Sequence, residues 1–506
     1  MTGAEWIETR FGKGRGAQLS HLIVVVFALI SVVGFLSYAF KGIGKFATDF
    51  LPWQLSANEY ALILMAITAF YVIKGGMFSV VITEVIQFCI LATASIVLGI
   101  IAMMRVSPEM LAKVVPPGWD NPFFGWQLDL DWSGLIESVN AKIAADGYSY
   151  FGFFFMMLLF KGFLVSAAGP APNYDMQRIL STRSPKEASL MNMWVNVVLI
   201  FPRYFLITGL TVLALVFFSD SIRGMGDKID FEMVLPYALD RFVPAGLMGM
   251  IVAGLLAAFM SNFAATVNAA PPYIVNDIYK RFINPNAPAR TYVRLSYVAS
   301  LAVVVSGITV GWFVESINEV IQWITAALWG GYTASNILKW YWWRFNGYGY
   351  FWGMVAGIGA SLVLPFAIPS LSPLNSFPLI LALSLVGCYA ATLLTPAEDE
   401  EVLVRFYRQV RPWGFWGPIL AKVRETDPGF HENRDFRRDV FNILVGICWQ
   451  TSLVALPVCI VIRKWDAALG ALALAAVTSL VLKFTWYDHL ETREARMGEP
   501  APGAAA

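Results

Sequence analysis

Charge is scarce in this 506-residue chain: Asp, Glu, Lys and Arg together make up 14% of it, against about 25% in an ordinary soluble domain. The 36 basic and 35 acidic side chains nearly cancel, so no basic face is available for nucleic acid. Three scattered histidines cannot build a zinc centre. The four cysteines, Cys89, Cys388, Cys448 and Cys459, all lie inside apolar runs and show neither a disulfide framework nor metal-site spacing. HExxH, GxSxG and Walker A motifs are missing, as is a GxGxxG in a suitable context, so an enzyme is not expected. A secreted, DNA-binding or zinc-dependent protein does not fit this composition. Apolar residues dominate instead, at 58% of the chain, and the mean hydropathy is +0.61. These values indicate an integral membrane protein.

A spanning helix needs about 20 mainly apolar residues. Hydropathy predicts about twelve spans, at 20–46, 58–74, 76–104, 148–168, 188–218, 244–276, 290–313, 315–342, 348–370, 376–396, 439–462 and 466–486. Lys and Arg collect in cytoplasmic loops. With the N-terminus inside, about 24 of the 36 basic residues fall on the inner side. Arg463 and Lys464 oppose the pattern. Twelve spans then put both termini in the cytoplasm. The segment 397–438 interleaves basic residues with Trp and Phe, which suits either a helix on the inner leaflet or an ordinary amphipathic connector.

Ionisable groups inside a membrane are expensive and mark pathways by default. Glu84, in SVVITEVIQF, reads either as a functional carboxylate or as a solvated helix-end group. Lys161, in MLLFKGFLV, needs a carboxylate, a carbonyl or water nearby and is a candidate to line a substrate cavity. Arg203 follows Pro202 and is expected to bond carbonyls freed by the proline. Gly169, Pro170 and Pro172 interrupt the helix after Ala168, and interrupted helices are where transporters expose backbone to ions and substrates. The span 244–276 carries Ala257, Ala258, Ser261, Ala264 and Ala265 with Asn262, Thr266 and Asn268 among them. Sodium, a hard cation, takes such hydroxyl, amide and carbonyl oxygens. Close helix packing through small residues reads equally well.

Five segments, in order along the chain, carry a resemblance. They are AEWIETRFG, YVIKGGMFSVVITEVIQ, QRILSTRSPKEA, AAFMSNFAATVNAAPPYIVNDIYKRF and ILKWYWWRFNGYGYFWGMVAG. Together they resemble the sodium:solute symporter family, which includes sodium/glucose and sodium/proline cotransporters. The resemblance implies an all-α polytopic fold of the LeuT-like, five-plus-five inverted-repeat kind, with substrate and sodium near the bilayer midplane. It places sodium ligands at Ala258 (carbonyl), Ser261 and Asn262, where the family normally has Ser or Thr in place of Asn262. It puts Glu84, usually Asp, on the inner sodium exit, and Gln322 against substrate. The aromatic gate and asparagine of sugar transporters align with Ala168 and Val165, and their substrate-contacting lysine has no counterpart near Val198–Leu199, so the sugar site is not reproduced.

By the same resemblance the chain lacks the N-terminal helices, and a separately encoded N-terminal piece is an expected partner. Residues 1–104 hold core helices three to five, 105–147 an outer loop, and 148–342 the second inverted repeat. Accessory helices follow at 343–396, then the cytoplasmic amphipathic loop 397–438 and the C-terminal helices and tail 439–506. The function implied is sodium-coupled symport of a small polar organic solute (a sugar, amino acid or organic acid) across the inner (plasma) membrane. The alternative is a transport-inactive fragment or a solute-sensing membrane protein on the same fold.

Overall fold

The computed structural model describes residues 2–121, 130–133, 140–141, 151–172, 174–218, 239, 243, 245–314, 317, 320, 323–368, 371 and 373–490. Among them are helices and no strands; the one β-bridge joins Trp342 to Phe415. The helices are α1 (Gly3–Phe11), α2 (Arg15–Phe50), α3 (Ala57–Arg105), α4 (Pro108–Ala112), α5 (Phe151–Ala168), α6 (Tyr174–Ser181) and α7 (Pro185–Phe217). Next come α8 (Ala245–Pro272), which runs on into a π-helical stretch (Tyr273–Ile283), and α9 (Ala289–Phe313). A second π-helical stretch (Trp323–Leu328) leads into α10 (Trp329–Tyr341), followed by α11 (Gly347–Ala367) and α12 (Pro373–Leu394). The chain continues through α13 (Glu400–Val410), α14 (Gly417–Thr426), α15 (Phe436–Val461) and α16 (Trp465–Thr485).

Ten stretches among the described residues are long and apolar enough to cross a membrane, and each coincides with an expected span. The expected spans 148–168 and 315–342 fall partly outside the described residues; what is described of them is helical, as α5 and as the stretch ending in α10. The expected spans 58–74 and 76–104 correspond to Ala57–Gly75 and Val80–Arg105, joined without a break in one 49-residue helix, α3, about 74 Å long at 1.5 Å per residue. Backbone hydrogen bonding continues through the Gly75–Gly76 pair, which brings no proline.

The chain divides into two compact units, Met1–Thr83 with Tyr150–Arg178 and Phe259–Asn433, and Glu84–Ser149 with Ile179–Ala258 and Arg434–Ala506. In the first, α2 packs on α1, α9 and α11, and α11 also packs on α10 and α12. Glycine makes the α10–α11 crossing possible: a Cβ on Gly357 would lie 2.3 Å from the Cα of Gly331. Such close backbone approach is how membrane helices gain packing energy when lipid supplies no hydrophobic drive. Ser384 of α12 ties this crossing with hydroxyl bonds to the carbonyls of Gly331 (3.2 Å) and Gly353 (2.9 Å). In the second unit α15 packs on α16 and α7, with Trp449 Nε1 donating to Ser479 Oγ at 2.9 Å.

Between α12 and α15 the segment 397–438 packs on the protein. Leu403, Phe406, Tyr407, Trp416, Ile419, Val423 and Phe430 form one buried cluster, packed against Trp6, Trp340 and Trp343. Trp416 Nε1 donates to the Trp340 carbonyl at 2.8 Å. The apolar faces of α13 and α14 are therefore packed on protein, while Phe415 and Phe436 stay exposed.

Candidate functional site

The predicted helix break is present. α5 stops at Ala168, Gly169 takes φ = +83°, and α6 begins at Tyr174. Carbonyls freed by the break are taken up by neighbours, as a low-dielectric setting demands. Tyr332 Oη donates to the Pro170 carbonyl (3.0 Å) and Trp340 Nε1 to that of Ala168 (3.3 Å). Gln177, on α6, donates to the Ala269 carbonyl of α8 at 3.1 Å.

The proposed sodium ligands Ala258, Ser261 and Asn262 lie on α8 at i, i+3 and i+4, so they share one face of that helix. All three are half-buried, and neither Ser261 nor Asn262 makes a side-chain hydrogen bond among the described residues. Their oxygens are thus uncommitted, and the Ala258 carbonyl keeps a second lone pair beside its helical bond. By contrast, Thr266 Oγ1 donates to the Asn262 carbonyl (2.8 Å) and Asn268 Nδ2 to that of Ala264 (3.1 Å). The donor set is carbonyl, hydroxyl and amide oxygen, which fits a hard monovalent cation. It is about half a coordination shell, and the other half has to come from elsewhere. Below this face Pro271 and Pro272 interrupt hydrogen bonding, and the helix widens to π geometry from Tyr273.

Two other candidates, Glu84 and Lys161, lie on other helices. Glu84 is half-buried on α3. Lys161 is half-buried on α5 and has no hydrogen-bond or ion-pair partner among the described residues. Gln322 lies outside the described residues. Arg203 is exposed and bonds no carbonyl among the described residues; α7 passes through Pro202 unbroken, so the expected repair is absent.

A second polar constellation in the first unit escaped the sequence. Arg10, fully buried at the end of α1, donates from Nε to the Lys339 carbonyl (2.8 Å). Its Nη2 faces the carbonyls of Trp342 (3.1 Å), Trp343 (3.3 Å) and Phe345 (2.9 Å). The guanidinium thereby caps the C-terminal end of α10, where the helix dipole favours a cation. It also lies 4.9 Å from the Phe11 and Trp416 ring centroids and 5.3 Å from that of Phe406. Burial pushes its pKa down to about 9, opposed by Glu398, so it remains a cation at neutral pH. The Glu398 carboxyl is pushed up by burial, against the pull of the Gly347 N–H it accepts at 2.7 Å.

Three more buried ionisable side chains adjoin this cap. Lys339 Nζ donates to Asn336 Oδ1 (2.6 Å), which also accepts from Tyr350 Oη (3.0 Å), and lies 5.1 Å from the Trp6 ring centroid. His21 Nε2 is 3.2 Å from Asp277 Oδ1, both essentially sealed from solvent. The geometry there does not make a hydrogen bond. His21 Nδ1 lies 3.0 Å from the Ala4 carbonyl, an acceptor, and 3.4 Å from Arg281 Nη1, a donor. The segment AEWIETRFG was the available signal, since it puts Arg10 in the middle of an aromatic-flanked motif.

A helical membrane protein with an interrupted helix beside a polar, small-residue helix has the architecture of an ion-coupled solute carrier. The chain belongs to the sodium:solute symporter family, whose family model matches residues 1–357. It is 25% identical over 410 residues to the sodium/mannose cotransporter of Bos taurus, covering 73% of this chain and 63% of that one. It is 24% identical over 462 residues to sodium/glucose cotransporter 4 of Danio rerio (80% and 65% covered). The sodium/glucose cotransporter of Vibrio parahaemolyticus is 23% identical over 418 residues (78% and 72%). The chain thus spans just under two thirds of the first two relatives. Its fold is shared with the substrate-bound outward-open state of a Na+-coupled sialic acid symporter, at a TM-score of 0.57, 19% identity and 78% coverage of both chains.

Proposed function

We propose that this chain carries out sodium-coupled symport of a small polar organic solute by alternating access, in the inner (plasma) membrane with both termini cytoplasmic. Membership of the symporter family over residues 1–357 carries the reading. The uncommitted oxygens of Ser261 and Asn262 beside the Ala258 carbonyl support it, as a half-shell for sodium. Glu84 is the exit-path carboxylate, and Lys161 and Gln322 are candidate solute contacts. Among solute classes, sugars and polyols come first, since the named relatives are mannose, glucose and myo-inositol cotransporters. Each inward sodium would contribute about 2.3 kcal/mol per 100 mV of membrane potential.

The test is uptake of labelled mannose, glucose and myo-inositol by proteoliposomes holding the full chain, under an inward sodium or an inward potassium gradient. Accumulation with sodium alone is the expected result. Binding of a solute without sodium-dependent accumulation, in protein that is folded, would overturn the proposal.

A further inference from the structure

The second unit holds a cavity of about 230 Å³ whose lining includes none of the proposed sodium or solute contacts. It opens where three spanning helices end together: the first turns of α7 and α15 and the last turn of α16. Its wall carries Lys186, Arg438 and His489 with Ser189, Asn442, Thr485 and Trp486, and one carboxylate, Asp439. The floor is already satisfied. Asn442 Nδ2 donates to the Thr485 carbonyl (3.1 Å) and receives the Thr485 hydroxyl at Oδ1 (2.6 Å).

The cations are only partly satisfied among the described residues. Lys186 Nζ has the Tyr487 ring at 5.2 Å and no carboxylate among the described residues. Arg438 Nη2 pairs with Asp435 at 2.8 Å, but its Nε is shielded from water, has no hydrogen-bond acceptor, and stands 3.8 Å from Asp439. Glu187, next to Lys186, is occupied with the Arg183 backbone N–H (2.9 Å). Both cations also sit in the first turn of long helices, where the dipole disfavours positive charge. A shielded, acceptor-less N–H and a lysine without a counter-ion, converging on one cavity, call for an anion with several acceptor oxygens. The position selects its source. The cavity lies at the ends of membrane spans, and Trp486 lines it in the manner of side chains at the headgroup level.

We propose that this cavity binds the phosphate of an anionic glycerophospholipid, with Lys186 and the Arg438 Nε edge holding the phosphate oxygens. The full chain, purified in detergent, is titrated with phosphatidylglycerol and with phosphatidylcholine and read by native mass spectrometry. Wild type is expected to hold one phosphatidylglycerol at least tenfold more tightly than phosphatidylcholine. Lys186→Gln and Arg438→Gln lose that preference, and Lys483→Gln, whose ammonium faces Asp488 outside the cavity, keeps it. Ser189→Leu fills the cavity without removing charge and loses it too, which keeps the test sound if Arg438→Gln fails to fold. Displacement of the lipid by millimolar inorganic phosphate would overturn the lipid assignment in favour of a soluble phosphate. Equal affinity for both lipids, or a preference untouched by Lys186→Gln and Ser189→Leu, would overturn the site.

Discussion

Replacing Arg10 tests whether α1 is locked to α10 by one buried cation. Arg10 faces four carbonyls and three aromatic rings, and among the described residues no carboxylate lies within hydrogen-bonding range of it. Its removal leaves those carbonyls buried without their donor, and breaking such a buried charged network costs about 3–5 kcal/mol. Arg10→Met keeps the apolar stem and removes every donor. Arg10→Lys keeps the charge but offers a point ammonium in place of a planar fork, and should recover less than half of the loss. Hydrogen exchange of the α1 amides in the full chain is the assay, since it reads local opening. At about 1.4 kcal/mol per power of ten, Arg10→Met should accelerate exchange in α1 by about two to three and a half powers of ten. The same amides in α16, in the other unit, should be unchanged. Acceleration below about threefold in α1 would mean that the guanidinium merely fills space there.

The neighbouring groups give further tests. Glu398 has a folded-state pKa raised by burial, so its ionised form is penalised in the folded protein and stability from this group grows as pH falls through the raised value toward 4.5. Glu398→Gln, which can still accept from the Gly347 N–H, should therefore melt higher than wild type at pH 8, with the gap closing toward pH 5. A gap that widens on acidification would reverse the sign and refute the burial account. Gly357→Val would force a side chain into the Gly331 backbone and should cost at least about 1–3 kcal/mol, read as lost monodisperse protein after detergent extraction. His21→Leu and Asp277→Leu should each destabilise by about 3–5 kcal/mol, and the double variant by clearly less than the sum. Additive losses in thermal melts would show that the two do not interact. Ser261→Ala should raise the sodium concentration for half-maximal uptake severalfold with little change in melting temperature; an unchanged sodium curve would remove Ser261 from the ligand set.

Hydropathy was enough to locate the spans, because a helix that must cross lipid has to be apolar over its whole length, whatever it packs against. The break after Ala168 was equally legible, since Gly169, Pro170 and Pro172 act on the backbone locally. The continuity of α3 through Gly75 and Gly76 was less legible, because glycine permits a turn without imposing one and only surrounding structure decides. Composition also could not say what the apolar faces of α13 and α14 pack against.

Buried charge was the part that stayed hidden, and its physics explains why. Arg10 and Lys339 look in sequence like two more basic residues of a cytoplasmic surface. Inside the first unit they are sealed by Trp6, Phe406 and Trp416, side chains drawn from segments about 400 residues apart along the chain. A charge can be buried only where carbonyls, amides and ring faces have been gathered around it. That gathering is a property of the fold and leaves no periodicity to read. Ala258, Ser261 and Asn262 sit on one turn of one helix, but that spacing reads as close helix packing as readily as a cation site, and only the family resemblance assigns them to sodium. The Arg10 cap that ties α1, α10 and α13 together could be found only in the folded chain.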